Sequence, residues 1–123
     1  KLGINKANIY IILGIVLVTF GMTFFSSSET IMGILISLLG FFTFASVPAL
    51  QARLIAIAGK YAPQSHSVAA GLNIAGFNSA IALGALIGGI IINSIGITYT
   101  GFVGGILSLI GLLILIIQIK KEK

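Results

Sequence analysis

The sequence predicts an all-α membrane protein with four transmembrane helices and both termini in the cytoplasm. Three observations carry that prediction. Of the 123 residues, 58% are hydrophobic and 7% charged, with a mean hydropathy of +1.20, so polar groups cannot cover the surface and lipid must be part of the solvent. The apolar residues fall in four runs, about 8–26, 31–50, 68–92 and 99–119, each near the ~20 residues that cross a ~30 Å hydrocarbon core as helix. All Lys and Arg residues lie in three places: Lys1 and Lys6, Arg53 and Lys60, and Lys120, Lys121 and Lys123. Four crossings put those places on one side, and the positive-inside bias makes that side the cytoplasm of a multi-pass cell-membrane protein.

The first run carries Gly14, Thr19, Gly21 and Thr23 and reads as a peripheral helix. It is longer than the apolar core of a signal peptide and has no small-residue cleavage site before Ser26 to Glu29, so removal is not expected. With Lys1 in place of an initiating Met, the chain reads as the tail of a longer protein. Residues 27–30 form an outer connection without positive charge.

The second run ends near Pro48, which lacks an N–H and clashes with the preceding turn, so the helix should loosen near Phe44. Pro48 is a candidate gate hinge or the point at which the helix leaves the core. Residues 51–67 are read as a cytoplasmic loop, with an amphipathic extension or simply solvated charges before Pro63. His66 is read as a solvated residue at its rim.

The third run holds two carboxamides and a repeat of small residues. Gly76, Ala80, Gly84 and Gly88, widened by Ala85 and Gly89, make one slowly drifting face on which another helix backbone can approach closely. Asn73 lies on the same side and is assigned to a hydrogen bond across that packed interface. Asn78 points elsewhere and is a candidate for the pathway, weighed against a role as interhelical glue worth only ~0.6 kcal/mol. The fourth run has Gly101, Gly104, Gly105, Ser108 and Gly111 in its outer half and an aliphatic stretch, Leu112 to Ile117, suited to lipid.

Several classes of function are excluded or unsupported. There is no cysteine, and one His with two acids supplies no metal cluster. No cofactor site and no enzyme chemistry are read. Basic residues sit singly or in a short tail, so nucleic acid is not an expected partner; the lipid bilayer is, with the tail positioned to attract anionic lipid.

The run from Val47 to Leu54, then Ala62-Pro63, Leu72 to Asn78, Ala82-Leu83-Gly84 and Gly88-Gly89, resembles the C-terminal region of major facilitator superfamily efflux transporters. It is most similar to the drug:proton antiporter branch with its arabinose-efflux-permease-like and purine-nucleoside efflux proteins. The resemblance implies a partial major facilitator fold comprising helices nine to twelve. It also implies proton-coupled efflux of small organic solutes, such as sugars, nucleosides or drugs, by alternating access, with the missing N-terminal helices of the same transporter as partner.

In that setting the second run would line the central cavity. Ser37, Phe41, Thr43, Phe44 and Ser46 would then be pathway candidates, offering aromatic faces with hydroxyls between them to a small-molecule substrate. The competing reading of each is lipid or packing contact, with the hydroxyls bonded to their own helix. No acid lies inside the four spans, so a coupling carboxylate is expected outside this segment. Two alternatives are a self-contained four-helix dimeric transporter of the small multidrug type, disfavoured by the lack of an intramembrane Glu, and a non-transporting membrane protein that binds partner helices through its glycine stripe.

Overall fold

A computed structural model describes residues 3–122 as four helices joined by short turns: α1 (Ile4–Phe24), α2 (Glu29–Tyr61), α3 (His66–Ser94) and α4 (Tyr99–Lys121). Lys1 and Lys123, two of the charges used to orient the chain, lie outside the described residues. No strand occurs among the described residues, and all four helices are long and apolar enough to cross a membrane. The start of α1 and the ends of α2 and α4 meet around one pocket, so the helices alternate in direction and the basic residues gather at one end.

The largest departure from expectation is the connection expected at 51–67. Residues 51–61 continue α2 without a break, making it a helix of 33 residues. The reason is local: Ala52, Arg53, Leu54, Ala56 and Ala58 are good helix formers, and the helix continues through Gly59 until Pro63 ends it. Proline restricts the residue ahead of it, and Ala62 leaves the helix at φ −149°, ψ 71°. At ~1.5 Å per residue α2 exceeds a ~30 Å core by several turns, so it must tilt or reach past the hydrocarbon. Pro48 therefore sits inside α2, not at its end. At the other side, Gly96 turns the chain between α3 and α4 at φ 102°, a conformation that costs a glycine little.

In α1, read as peripheral from the sequence, lies instead the hub. It packs along both α2 and α4, whereas α3 touches α2 over a shorter stretch and α4 least of all. On α4, Gly101, Gly105, Ser108, Leu112 and Leu115 recur at intervals of four and three, one helical stripe. A Cβ on Gly101 would lie 2.9 Å from the Thr19 carbonyl oxygen, and one on Gly105 would lie 3.0 Å from the Phe20 ring. Phe20 and Phe102 meet edge to face at 6.0 Å, a favoured aromatic geometry. Leu112 and Leu115 are buried with Val16 and Val18, so the aliphatic end of α4 is lipid-facing only on its far side, at Leu113, Ile114 and Ile117. Against α2, Gly14 lies under the Phe42 ring, at 2.6 Å from Cε1 for a built Cβ.

These seams differ in tolerance, because a backbone carbonyl cannot move aside as a side-chain end can. Gly101→Ala should destabilise the fold by about 1–3 kcal/mol through overpacking, whereas Gly111→Ala, where a Cβ meets nothing within 4 Å, should be neutral or better. Titration of helicity with SDS in mixed micelles compares the two; equal midpoints would contradict the seam.

Candidate functional site

The pathway candidates on α2 divide between faces. At ~100° per residue, Ser37, Phe41, Phe44 and Pro48 fall within about 60° of one another. Phe41 and Phe44 are 67% and 80% exposed, an open aromatic face in which Phe41 meets the neighbouring Phe42 ring edge to face at 5.5 Å. Thr43 is exposed on the flank. Ser46 lies about 180° from Ser37 and is buried, so it does not join the exposed set. It belongs to the stripe Phe42, Ser46, Ala49 and Arg53, which meets α1: Phe42 at Gly14, Ala49 at Asn8 and Arg53 at Asn5.

The hydroxyls are engaged locally. Ser37 donates to the Gly33 carbonyl at 2.9 Å, Thr43 to Leu39 at 2.7 Å and Ser46 to Thr43 at 2.6 Å. A hydroxyl whose proton is so committed offers a solute its lone pairs, so Ser37 and Thr43 are acceptors more than donors. Pro48 leaves the Phe44 carbonyl without its usual i+4 donor on the exposed aromatic face.

On α3, the first turns meet α2 and the rest diverge. Leu50 and Leu54 of α2 with Leu72, Asn73, Gly76, Phe77 and Ala80 of α3 line an open groove of about 350 Å³. Asn73, expected to bond across a packed interface, buries its Nδ2 with no acceptor, and a buried donor left so costs about 1–3 kcal/mol. Asn78 is exposed on another side of the helix. A Cβ on Gly76, Gly84, Gly88 or Gly89 would meet nothing within 4 Å, and Ala80 is exposed. The small-residue face thus has no close neighbour among the described residues. Close glycine contacts occur on α1 and α4.

The strongest polar cluster was not anticipated from the sequence. Arg53, read there as a charge of the cytoplasmic connection, is only 5% exposed. Its Nη1 donates to Asn5 Oδ1 at 2.7 Å and Glu122 Oε2 at 3.2 Å, and its Nη2 to Glu122 Oε1 at 2.7 Å. This fork joins α1, α2 and the end of α4 in the bidentate geometry that suits guanidinium and carboxylate. One turn along α1, Asn8 is 1% exposed and donates to the carbonyls of Ile4 and Ala49, each at 2.9 Å. A signal was present: Arg53 continues the i, i+4, i+7, i+11 stripe from Phe42, and Asn5 and Asn8 share a face of α1.

The chain shares stretches of sequence with two sets of relatives. The chain is 43% identical to an uncharacterized MFS-type transporter of Bacillus subtilis (strain 168) over 61 residues, 50% of this chain and 15% of that protein. It is 41% identical to a probable sugar efflux transporter of Helicobacter pylori (strain P12) over 76 residues, 61% of this chain and 18% of that protein. The match thus spans less than a fifth of either relative's length. No family model matches the chain, and no solved structure does. With four membrane-capable helices and transporter relatives, the chain is a multi-pass membrane protein.

The fork should carry measurable energy. Removing Arg53 and Glu122 singly and together, as Arg53→Gln and Glu122→Gln, should give a coupling of about 1.5–3 kcal/mol, as for hydrogen bonds to charged groups. SDS-denaturation free energies close the cycle; a coupling under about 0.5 kcal/mol, the level of a solvated surface pair, would contradict the geometry.

Proposed function

We propose that these four helices are helices nine to twelve of a secondary efflux transporter of the major facilitator superfamily, in its drug:proton antiporter branch. The substrate is a small organic solute such as a sugar, nucleoside or drug, moved by alternating access. The reading rests first on the stretches of 41% and 43% identity to proteins named as an MFS-type and a sugar efflux transporter. The open faces support it. The aromatic surface of α2 at Phe41 and Phe44, and the small-residue stripe of α3, are what a chain would leave uncovered if a further set of helices met it there.

In this reading Ser37, Phe41, Thr43 and Phe44 border the solute path, with rings to stack on and hydroxyl lone pairs to accept from a solute's O–H or N–H. Asn78 adds an amide on α3. Ser46 stabilises the seam to α1 instead. Pro48, with its freed Phe44 carbonyl, is the point of α2 at which bending costs least and serves as the hinge. The coupling carboxylate lies in the remaining helices, because Glu29 sits in the first turn of α2 and Glu122 closes the end of α4. Neither alternative is favoured: nothing in the relatives' names suggests a small dimeric transporter or a non-transporting protein.

Coding DNA upstream of Lys1 tests the assignment to helices nine to twelve. An open frame encoding about eight further apolar segments agrees with it; a start codon with a ribosome-binding site immediately before Lys1 refutes it. In cells expressing the encoded transporter, Asn78→Ala should slow export of labelled solute roughly tenfold, one hydrogen bond's worth, at unchanged protein level; undiminished export would return Asn78 to structural glue. Gly84→Leu should lower the yield of assembled protein, and normal assembly would show that no helix packs on the stripe.

A further inference from the structure

We infer that the pocket at the basic end, between the start of α1 and the ends of α2 and α4, is a binding site for the headgroup of an anionic phospholipid. This goes beyond the transport reading and does not depend on it. The pocket has a volume of about 680 Å³, room for a phosphate with its glycerol. Its charged lining is Lys6, Arg53, Lys60 and Glu122. Glu122 is the one acid and is committed to Arg53, so the pocket carries a net excess of two positive charges, those of Lys6 and Lys60. Neither lysine forms an ion pair among the described residues. Lys60 is held with its ammonium 5.1 Å from the centre of the Tyr61 ring, which limits its wandering and leaves its other N–H bonds for an incoming oxygen.

The remaining wall decides in favour of a lipid. Ile4, Ile9, Ala56, Ile57 and Ile119 form an apolar side, and they belong to helix ends that cross a bilayer. A soluble anion gains nothing from such a wall, whereas the first methylenes of an acyl chain are removed from water against it. Tyr61, 66% exposed, lines the pocket at the end of a membrane-capable helix, where tyrosines favour the interface. Basic pockets between helices at this depth suit lipid phosphates. The committed fork of Arg53, Asn5 and Glu122 forms part of the lining, so the site is built before the lipid arrives.

Native mass spectrometry of the whole chain in dodecyl maltoside, with dioleoyl phosphatidylglycerol and dioleoyl phosphatidylcholine competing at equal concentration, tests the site. A charge near the surface contributes about fivefold per lysine, so the wild type should prefer phosphatidylglycerol by roughly thirtyfold. In the double variant Lys6→Gln, Lys60→Gln the preference should fall to near one, while Lys120→Gln, Lys121→Gln should keep it. Equal binding of the two lipids to the wild type, or a preference that follows the tail lysines, overturns the proposal. Inorganic phosphate at millimolar concentration should not displace the lipid; displacement would mean that the site takes a free anion. A photoreactive phosphatidylglycerol added to the wild type gives a second reading independent of variant folding: labelling should fall on the peptide holding Ile57 to Tyr61, and labelling of α3 alone would place the lipid elsewhere.

Discussion

Nothing hydrophobic drives one apolar helix onto another in a bilayer, because lipid tails are as apolar as leucine side chains. Helix placement must therefore come from close van der Waals contact and from polar groups that have no better partner. In this chain both are concentrated on α1. Its outer half meets α4 where Gly101 and Gly105 bring the backbones together beside Thr19 and Phe20. Its inner half is held to α2 by Asn8, and to α2 and α4 together by the Arg53 fork. Small residues at one end and buried polar ties at the other fix the three helices along their length.

The division of labour explains what the sequence could and could not reveal. Four spans and their common basic end were legible, since length, hydropathy and charge asymmetry report on the solvent, and lipid is a simple one. The helical end of α2 was less so: Arg53 and Lys60 look like loop charges, although Leu54, Ala56 and Ala58 between them favour helix until Pro63 stops it. Glycines were hardest to apportion. The regular repeat in α3 looks like a packing face, yet close approach within the chain falls to Gly14, Gly101 and Gly105, whose spacing is no more regular. A small residue permits contact without specifying the partner, so composition alone could not separate the two cases. Ser46 and Arg53 show the same limit, since their role follows from a stripe shared with Phe42 and Ala49 that becomes meaningful only once α1 is known to lie against it.

Two of the open surfaces carry the polar, aromatic and small residues singled out from the sequence: the aromatic side of α2 and most of α3. Asn73 buries an amide nitrogen without an acceptor, and a Cβ on Gly76, Gly84 or Gly88 above it would meet nothing within 4 Å. In the proposed transporter, Asn73 and the glycine stripe would both face further helices, which small and polar residues in a membrane helix suit. The α1 hub would then be the fixed frame, with α2 and α3 presenting the moving or binding faces.

The most direct measurement is pulsed electron–electron resonance on the chain in lipid nanodiscs, which the absence of native cysteine makes straightforward. Labels at exposed Leu17 of α1 and Leu113 of α4 should give a single narrow distance distribution, whereas labels at Leu17 and exposed Ile90 of α3 should give a broad one, because the outer part of α3 has little to lean on. A broad distribution for the α1–α4 pair, or an α3 distance as narrow as it, would contradict an α1-centred frame with an unmet α3 face.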